Sequence, residues 1–233
     1  MAQYFYNLTD EGNVIQISDD YRNLAFINKV QVGTAEINSN LTGVSSMRSW
    51  SLTVTGNNPI IAVGDANNCI LYGRSQSGNN FTFTGVTVGN TSSFIAYIFD
   101  YPTGGGSGPG LVIRNVSGEL VFDSNLRYMK VAGMVTERGT FTYPANKTYA
   151  ALLGVTTSII TVAGGPVGGG GYWLVNVQTG RPTINISGNT ITAAYAPVKN
   201  WTQEGDPGQV VTPTPGTYGS YAIFAPILDV TGL

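Results

Sequence analysis

Polar and apolar residues alternate with a period of two along much of this chain, and that period buries one face only as a β-strand. Ser51-Leu52-Thr53-Val54-Thr55, Asn80-Phe81-Thr82-Phe83-Thr84 and Thr183-Ile184-Asn185-Ile186-Ser187 all alternate in this way. Between such runs stand Gly56-Asn57-Asn58-Pro59, Gly78-Asn79-Asn80 and Gly188-Asn189. These residue types tolerate positive φ and close hairpins at little cost. Helical spacing is nearly absent. Short strands separated by turn signals predict an all-β fold built from antiparallel sandwiches or barrels.

An internal repeat sets the expected organisation. Asn7-Leu8-Thr9-Asp10-Glu11-Gly12-Asn13-Val14-Ile15-Gln16-Ile17-Ser18 and Asn115-Val116-Ser117-Gly118-Glu119-Leu120-Val121-Phe122-Asp123-Ser124 share one plan. Each reads as strand, Asn turn, Gly and strand. An acidic or Ser turn follows, and then an apolar-Arg pair at Arg22 or Arg127. The likeness continues from Ser93-Phe94-Ile95 to Ser220-Tyr221-Ala222, and from 80–88 to 183–195. Between the copies, 103–110 is nearly all Gly, Ser and Pro and reads as a linker. The expectation is two tandem antiparallel β-sandwich domains, 1–102 and 111–233. The second would be enlarged by one long loop at 196–219.

Composition removes several classes of chemistry. Histidine is absent from all 233 residues, so no imidazole base and no His-based triad or zinc site can form. The single Cys69 excludes an internal disulfide. Eleven Lys and Arg against 13 Asp and Glu, with charged residues at 10%, leave no basic tract for nucleic acid. No apolar run is long enough for a membrane helix, and residues 1–6 carry no secretory signal. The run at 164–171 precedes a strand pattern, Tyr172-Trp173-Leu174-Val175, where a phosphate loop needs a helix; it reads as a hairpin tip. The acidic pairs Asp10/Glu11, Asp19/Asp20 and Glu204/Asp206 read as turn residues. Catalytic, cofactor-binding and metal residues are therefore expected to be absent.

The remaining candidates are contact and scaffold residues. Trp50 and Trp173 fall in strand patterns, whereas Trp201 falls in the expected 196–219 loop with Gln203 and Tyr218. Those three form the candidate contact set. Asn7, Gly12 and Arg22 in the first copy, and Asn115, Gly118 and Arg127 in the second, form the repeated structural set. The two arginines are expected to bond neighbouring backbone.

The string from Gly110-Leu111-Val112-Ile113-Arg114-Asn115 through Gly118 to Phe122-Asp123-Ser124 resembles a recurring module of tailed-bacteriophage tail proteins. There the hairpin reads hydrophobic-x-N-x-x-G-x-hydrophobic-hydrophobic-F-D-S. It follows a Y-x-F-D-x-P strand and a Gly-rich linker, matched here by Tyr97-Ile98-Phe99-Asp100-Tyr101-Pro102. The first copy departs from the motif, with Ile17-Ser18-Asp19-Asp20 in place of Phe-Asp-Ser. The resemblance implies a non-enzymatic virion protein of the tail tip or baseplate, made in the host cytoplasm, with no cofactor. It implies other phage tail proteins and further copies of the chain, as trimer or hexamer, as partners, with no nucleic acid and no membrane. The alternative is a receptor-binding module for a host surface polysaccharide or protein.

Overall fold

A computed structural model describes residues 4–8, 14–18, 23–37, 47–65, 68–153, 159–167, 172–205, 216–218 and 223–233, with side chains outside 1–22, 159–179 and 197–222. The described residues are all-β and antiparallel, with no helix. A hairpin of β1 (Tyr4–Leu8) and β2 (Val14–Ser18) comes first. It is followed by β3 (Ala25–Gly33), β4 (Ala35–Glu36), β5 (Met47–Thr55), β6 (Ile60–Gly64), β7 (Cys69–Ser77), β8 (Asn80–Val88) and β9 (Ser93–Asp100). A second hairpin of β10 (Val112–Arg114) and β11 (Leu120–Asp123) leads to β12 (Val131–Val135), β13 (Gly139–Thr142) and β14 (Tyr149–Leu152). The chain continues through β15 (Ile159–Val167), β16 (Tyr172–Ser187), β17 (Thr190–Gly205), β18 (Gly216–Tyr218) and β19 (Ala225–Asp229).

Strand order is the same in both halves of the chain. One sheet runs β12-β19-β14-β6-β9-β3 and the larger one β13-β17-β16-β7-β8-β5-β4, with β15 and β18 branching from β16. Read outward from the middle, β6-β9-β3 mirrors β14-β19-β12, and β7-β8-β5 mirrors β16-β17-β13. The central pairs are antiparallel, Val63 opposite Ala151 and Cys69 opposite Ile184. Two like halves joined through antiparallel pairs form the arrangement of a two-fold dimer inside one chain. The segment 103–110 thus separates the two strand sets in sequence, while both sheets run across that division.

The register confirms the equivalence and re-aligns it. A bulge interrupts β3 between Phe26 and Asn28, and β12 between Val131 and Gly133. Matching the bulges sets Phe99-Asp100 against Leu228-Asp229, two residues away from the alignment that residue identity favours. The hairpin turns at Gly78 and Gly188 match as well, with φ of +59° and +58° in the first loop position, the conformation that a type II′ turn assigns to glycine.

The two sheets pack face to face. Trp50, Phe81 and Phe83 of the larger sheet meet Ile61, Phe94 and Ile98 of the smaller, with Trp50 edge-on to Phe94 at 5.3 Å. Ile184, Ile186 and Ile191 meet Tyr149, Ala225 and Ile227 in the other half. The opposite face of the smaller sheet is also buried, around Ala62, Tyr97, Phe99, Ala150, Leu228 and Val230. Chain geometry explains this second core. Tyr128 bridges to Ala25, and Met129 N–H donates to Leu24 O at 2.9 Å. β12 starts three residues after Tyr128, a reach of roughly 10 Å. A flat six-stranded sheet would hold β3 and β12 about 24 Å apart. The sheet therefore curls until the residues just ahead of its two outer strands meet at Leu24 and Met129, which pack against this core.

The extra length of the second half lies in strands. Residues 196–205, expected as loop, continue β17 alongside β16, with Trp201 opposite Val177. Pro197 obscures this in sequence because proline is excluded from regular ladders. Here it sits at a bulge, opposite Gly180, where the register shifts. Residues 206–215 lie outside the described residues. The glycine run expected as a hairpin tip is strand as far as Val167, with Gly165 paired to Leu174; residues 168–171 lie outside the described residues.

Candidate functional site

The motif hairpin is organised by one amide. Asn115 Oδ1 accepts from Ser117 N–H at 3.0 Å and from Glu119 N–H at 2.9 Å, and Asn115 Nδ2 donates to Glu119 at 2.7 Å. Gly118 takes φ +79°, and its carbonyl accepts from Arg114 at 2.9 Å. This local closure leaves Val116 at the tip, 99% exposed, an apolar contact candidate that sequence reasoning passed over. Asn7, expected to match Asn115, lies within β1 opposite Ile15. Leu8 pairs with Val14 and Arg114 with Leu120, so Gly12 corresponds to Gly118 whereas Asn115 falls at the position of Thr9. Gly12 and Arg22 lie outside the described residues, as do Asp10/Glu11, Asp19/Asp20 and Asp206.

Both aspartates of the motif are buried and bound to backbone. Asp100 accepts from Asn57 N–H at 2.7 Å, Asn58 N–H at 2.8 Å and Tyr101 N–H at 2.7 Å. Asp123 accepts from Asn125 N–H at 2.8 Å and from Gly106 N–H at 2.7 Å. The Gly-rich stretch is accordingly wrapped on the 123–125 turn. A Cβ on Gly106 would lie 2.5 Å from Asn125 Cβ, and one on Gly110 2.5 Å from Ser124 Oγ. The bond from Asn125 N–H, with those from Gly106 and the Asn125 amide, holds the Asp123 carboxyl below its ordinary 3.8. The clamp is therefore complete above the ordinary carboxylate range and is lost as pH falls through the lower folded value. Asp123→Ala should raise the rate of proteolytic cleavage within 103–110 on the order of tenfold at neutral pH. Equal cleavage rates in the two proteins would remove the clamp from this account.

A cleft of about 920 Å³ opens where the sheet closes on itself. Its walls include Asn23, Phe122, Arg127, Tyr128, Lys130, Asn146, Lys147 and Asp229. Phe122 and Tyr128 stack at 5.1 Å with 13° between their planes. Tyr128 Oη accepts from Asp123 N–H at 2.6 Å, which ties the cleft wall to the motif turn. Burial keeps the Tyr128 hydroxyl above its ordinary range. Arg127 donates to the Gly232 carbonyl. Lys147 pairs with Asp229 at 2.9 Å. Partial burial pushes Asp229 up, but the bonds from Thr231 and Lys147 outweigh it and hold the carboxyl below its ordinary range.

The expected contact residues lie elsewhere. Trp201 and Gln203 are on β17, opposite Val177 and Val175, and Tyr218 is on β18, opposite Ile160. β17, β16, β15 and β18 are successive neighbours, so one four-stranded extension carries all three. Among the described residues no cluster of three or more Cys, Asp or Glu is placed to hold a metal ion. Burial pushes the Cys69 thiol up, which keeps it protonated. Comparison with family models, curated proteins and solved structures finds no match.

Proposed function

We propose that the chain is a structural component of a tailed-phage tail tip or baseplate, acting in assembly or attachment without catalysing a reaction. The observation that carries this reading is the use made of the motif residues. Asn115, Asp100 and Asp123 are all engaged with nearby turn and backbone groups, as a scaffold motif requires. The low overall charge supports it too. Charged residues are only 10% of the chain, so few are available over the whole surface to discourage association with other chains. Other tail proteins and further copies of the chain are the proposed partners, and the four-stranded extension with Trp201, Gln203 and Tyr218 is the proposed contact element.

Gold-labelled antibody against the chain should decorate the distal tail of purified particles. Label confined to the head, or absent from intact tails, would overturn the assignment. Light scattering on the purified chain should give the mass of a trimer or hexamer; a monomer across the micromolar range would remove self-association. Recognition of a host surface polymer is the second reading, favoured by the cleft lined with Arg127, Lys130 and Lys147.

A further inference from the structure

We propose that the cleft binds a polyanionic sugar or polyol chain through its phosphate or carboxylate groups. This deepens the receptor-binding reading and rests on it for the origin of the ligand. Across the whole chain anions outnumber cations, 13 to 11. Among the side chains that line this cleft the balance is reversed, with Arg127, Lys130 and Lys147 against Asp229. Asp229 is already matched by Lys147. Lys130 is exposed, and among the described residues its ammonium has no acceptor. A local excess of cations in a concave site attracts an anionic ligand more strongly than the same charges on a flat surface.

The other lining groups favour a glycan over a nucleic acid. Asn23 and Asn146 bring amides that can bond hydroxyls, and Phe122 and Tyr128 bring aromatic surface for the apolar face of a sugar ring. The volume suits a few sugar units. A nucleic acid would need a continued track of cations. Beyond the cleft Arg48 is paired with Glu36, Arg74 lies over Phe81 and Arg181 over Tyr72. The walls are fixed in advance by the Asp123–Tyr128, Arg127–Gly232 and Lys147–Asp229 contacts, which lowers the ordering cost of binding.

The test uses the full chain, titrated at 50 and 200 mM salt with poly(glycerol phosphate), polygalacturonate, dextran and a single-stranded DNA oligonucleotide. At least one of the two anionic polymers should bind, losing about tenfold in affinity between the two salt concentrations. Dextran should not bind, and the DNA should bind more weakly. Lys130→Glu should weaken polymer binding at least tenfold, whereas Arg181→Glu, distant from the cleft, should leave it unchanged. Whether the phosphate or the carboxylate polymer is preferred identifies the ligand source. The proposal falls if neither polymer binds at 50 mM salt, if Lys130→Glu binds as well as the parent, or if the DNA binds more tightly than both. Labelling of the tail is measured separately, so the cleft and the virion assignment can each fail alone.

Discussion

Asp100→Ala should lower the stability of the folded chain by about 3–5 kcal/mol, since three N–H donors lose a charged acceptor and each such bond contributes about 1.5–3 kcal/mol before desolvation of the carboxylate is set against it. The carboxylate is 4% exposed and accepts three backbone N–H groups, from Asn57, Asn58 and Tyr101. Removing it leaves three N–H donors without the acceptor that holds the 56–59 turn and Tyr101. For a chain of this size the melting temperature should fall by roughly 10 °C. Asp100→Asn should recover part of the loss, since one amide oxygen still accepts. Gly56→Ala should mimic the effect, because a Cβ there would lie 2.1 Å from Asp100 Oδ2 and displace it. Since both changes act on one contact, the double variant should lose less than the sum. A melting temperature within about 2 °C of the parent for Asp100→Ala would sink this account of the motif.

The second large effect is expected at Gly85. It faces Trp50 across the β5–β8 ladder, and a Cβ would lie 2.0 Å from Ile70 O and 2.4 Å from the Trp50 ring. Overpacking of this kind costs about 1–3 kcal/mol and occasionally more. Because one of the blocking atoms is a backbone oxygen, Gly85→Ala belongs at or above the top of that range. Trp50→Phe in the same chain should relieve the ring contact and leave the carbonyl contact. The pair should therefore lose less than the two single changes added together. Chemical denaturation of the four proteins measures this directly. An unaltered midpoint for Gly85→Ala would mean that the indole does not rest on the β8 backbone.

Much of the local structure was legible before folding was considered. The alternating runs fall inside β5, β8 and β16, and the Gly-Asn pairs at 78–79 and 188–189 form their turns. Both are neighbour effects: side-chain parity sets the strand face, and a residue without a Cβ admits positive φ. The motif hairpin was legible for the same reason, since Asn115 acts on Ser117 and Glu119 close by. The reading of 196–205 as loop failed because Pro197 looks like a strand breaker until its bulge partner Gly180 is known. The reading of 103–110 as a linker missed the acceptor, Asp123, that lies beyond the stretch itself.

The candidate site was less legible than the fold. Arg127 bonds Gly232, a partner 105 residues away that no local pattern indicates. Lys130, Lys147 and Asn23 carried no signal, because nothing in the sequence relates residue 23 to residues 130 and 147. They line one cleft only because the start of β3 bridges Tyr128, just ahead of β12.

The sequence by itself determined the class of structure, the positions of most body strands, the duplication and the absence of imidazole chemistry. These depend on residue identity and on spacing within about ten residues. Tertiary structure alone decided the shared sheets, the two-fold relation of the halves and the curl that encloses a second core. Those features rest on pairs such as Ala25–Tyr128, Val63–Ala151 and Cys69–Ile184. Such pairs are chosen by the burial of whole faces against one another, and no local pattern encodes which distant strand supplies the partner.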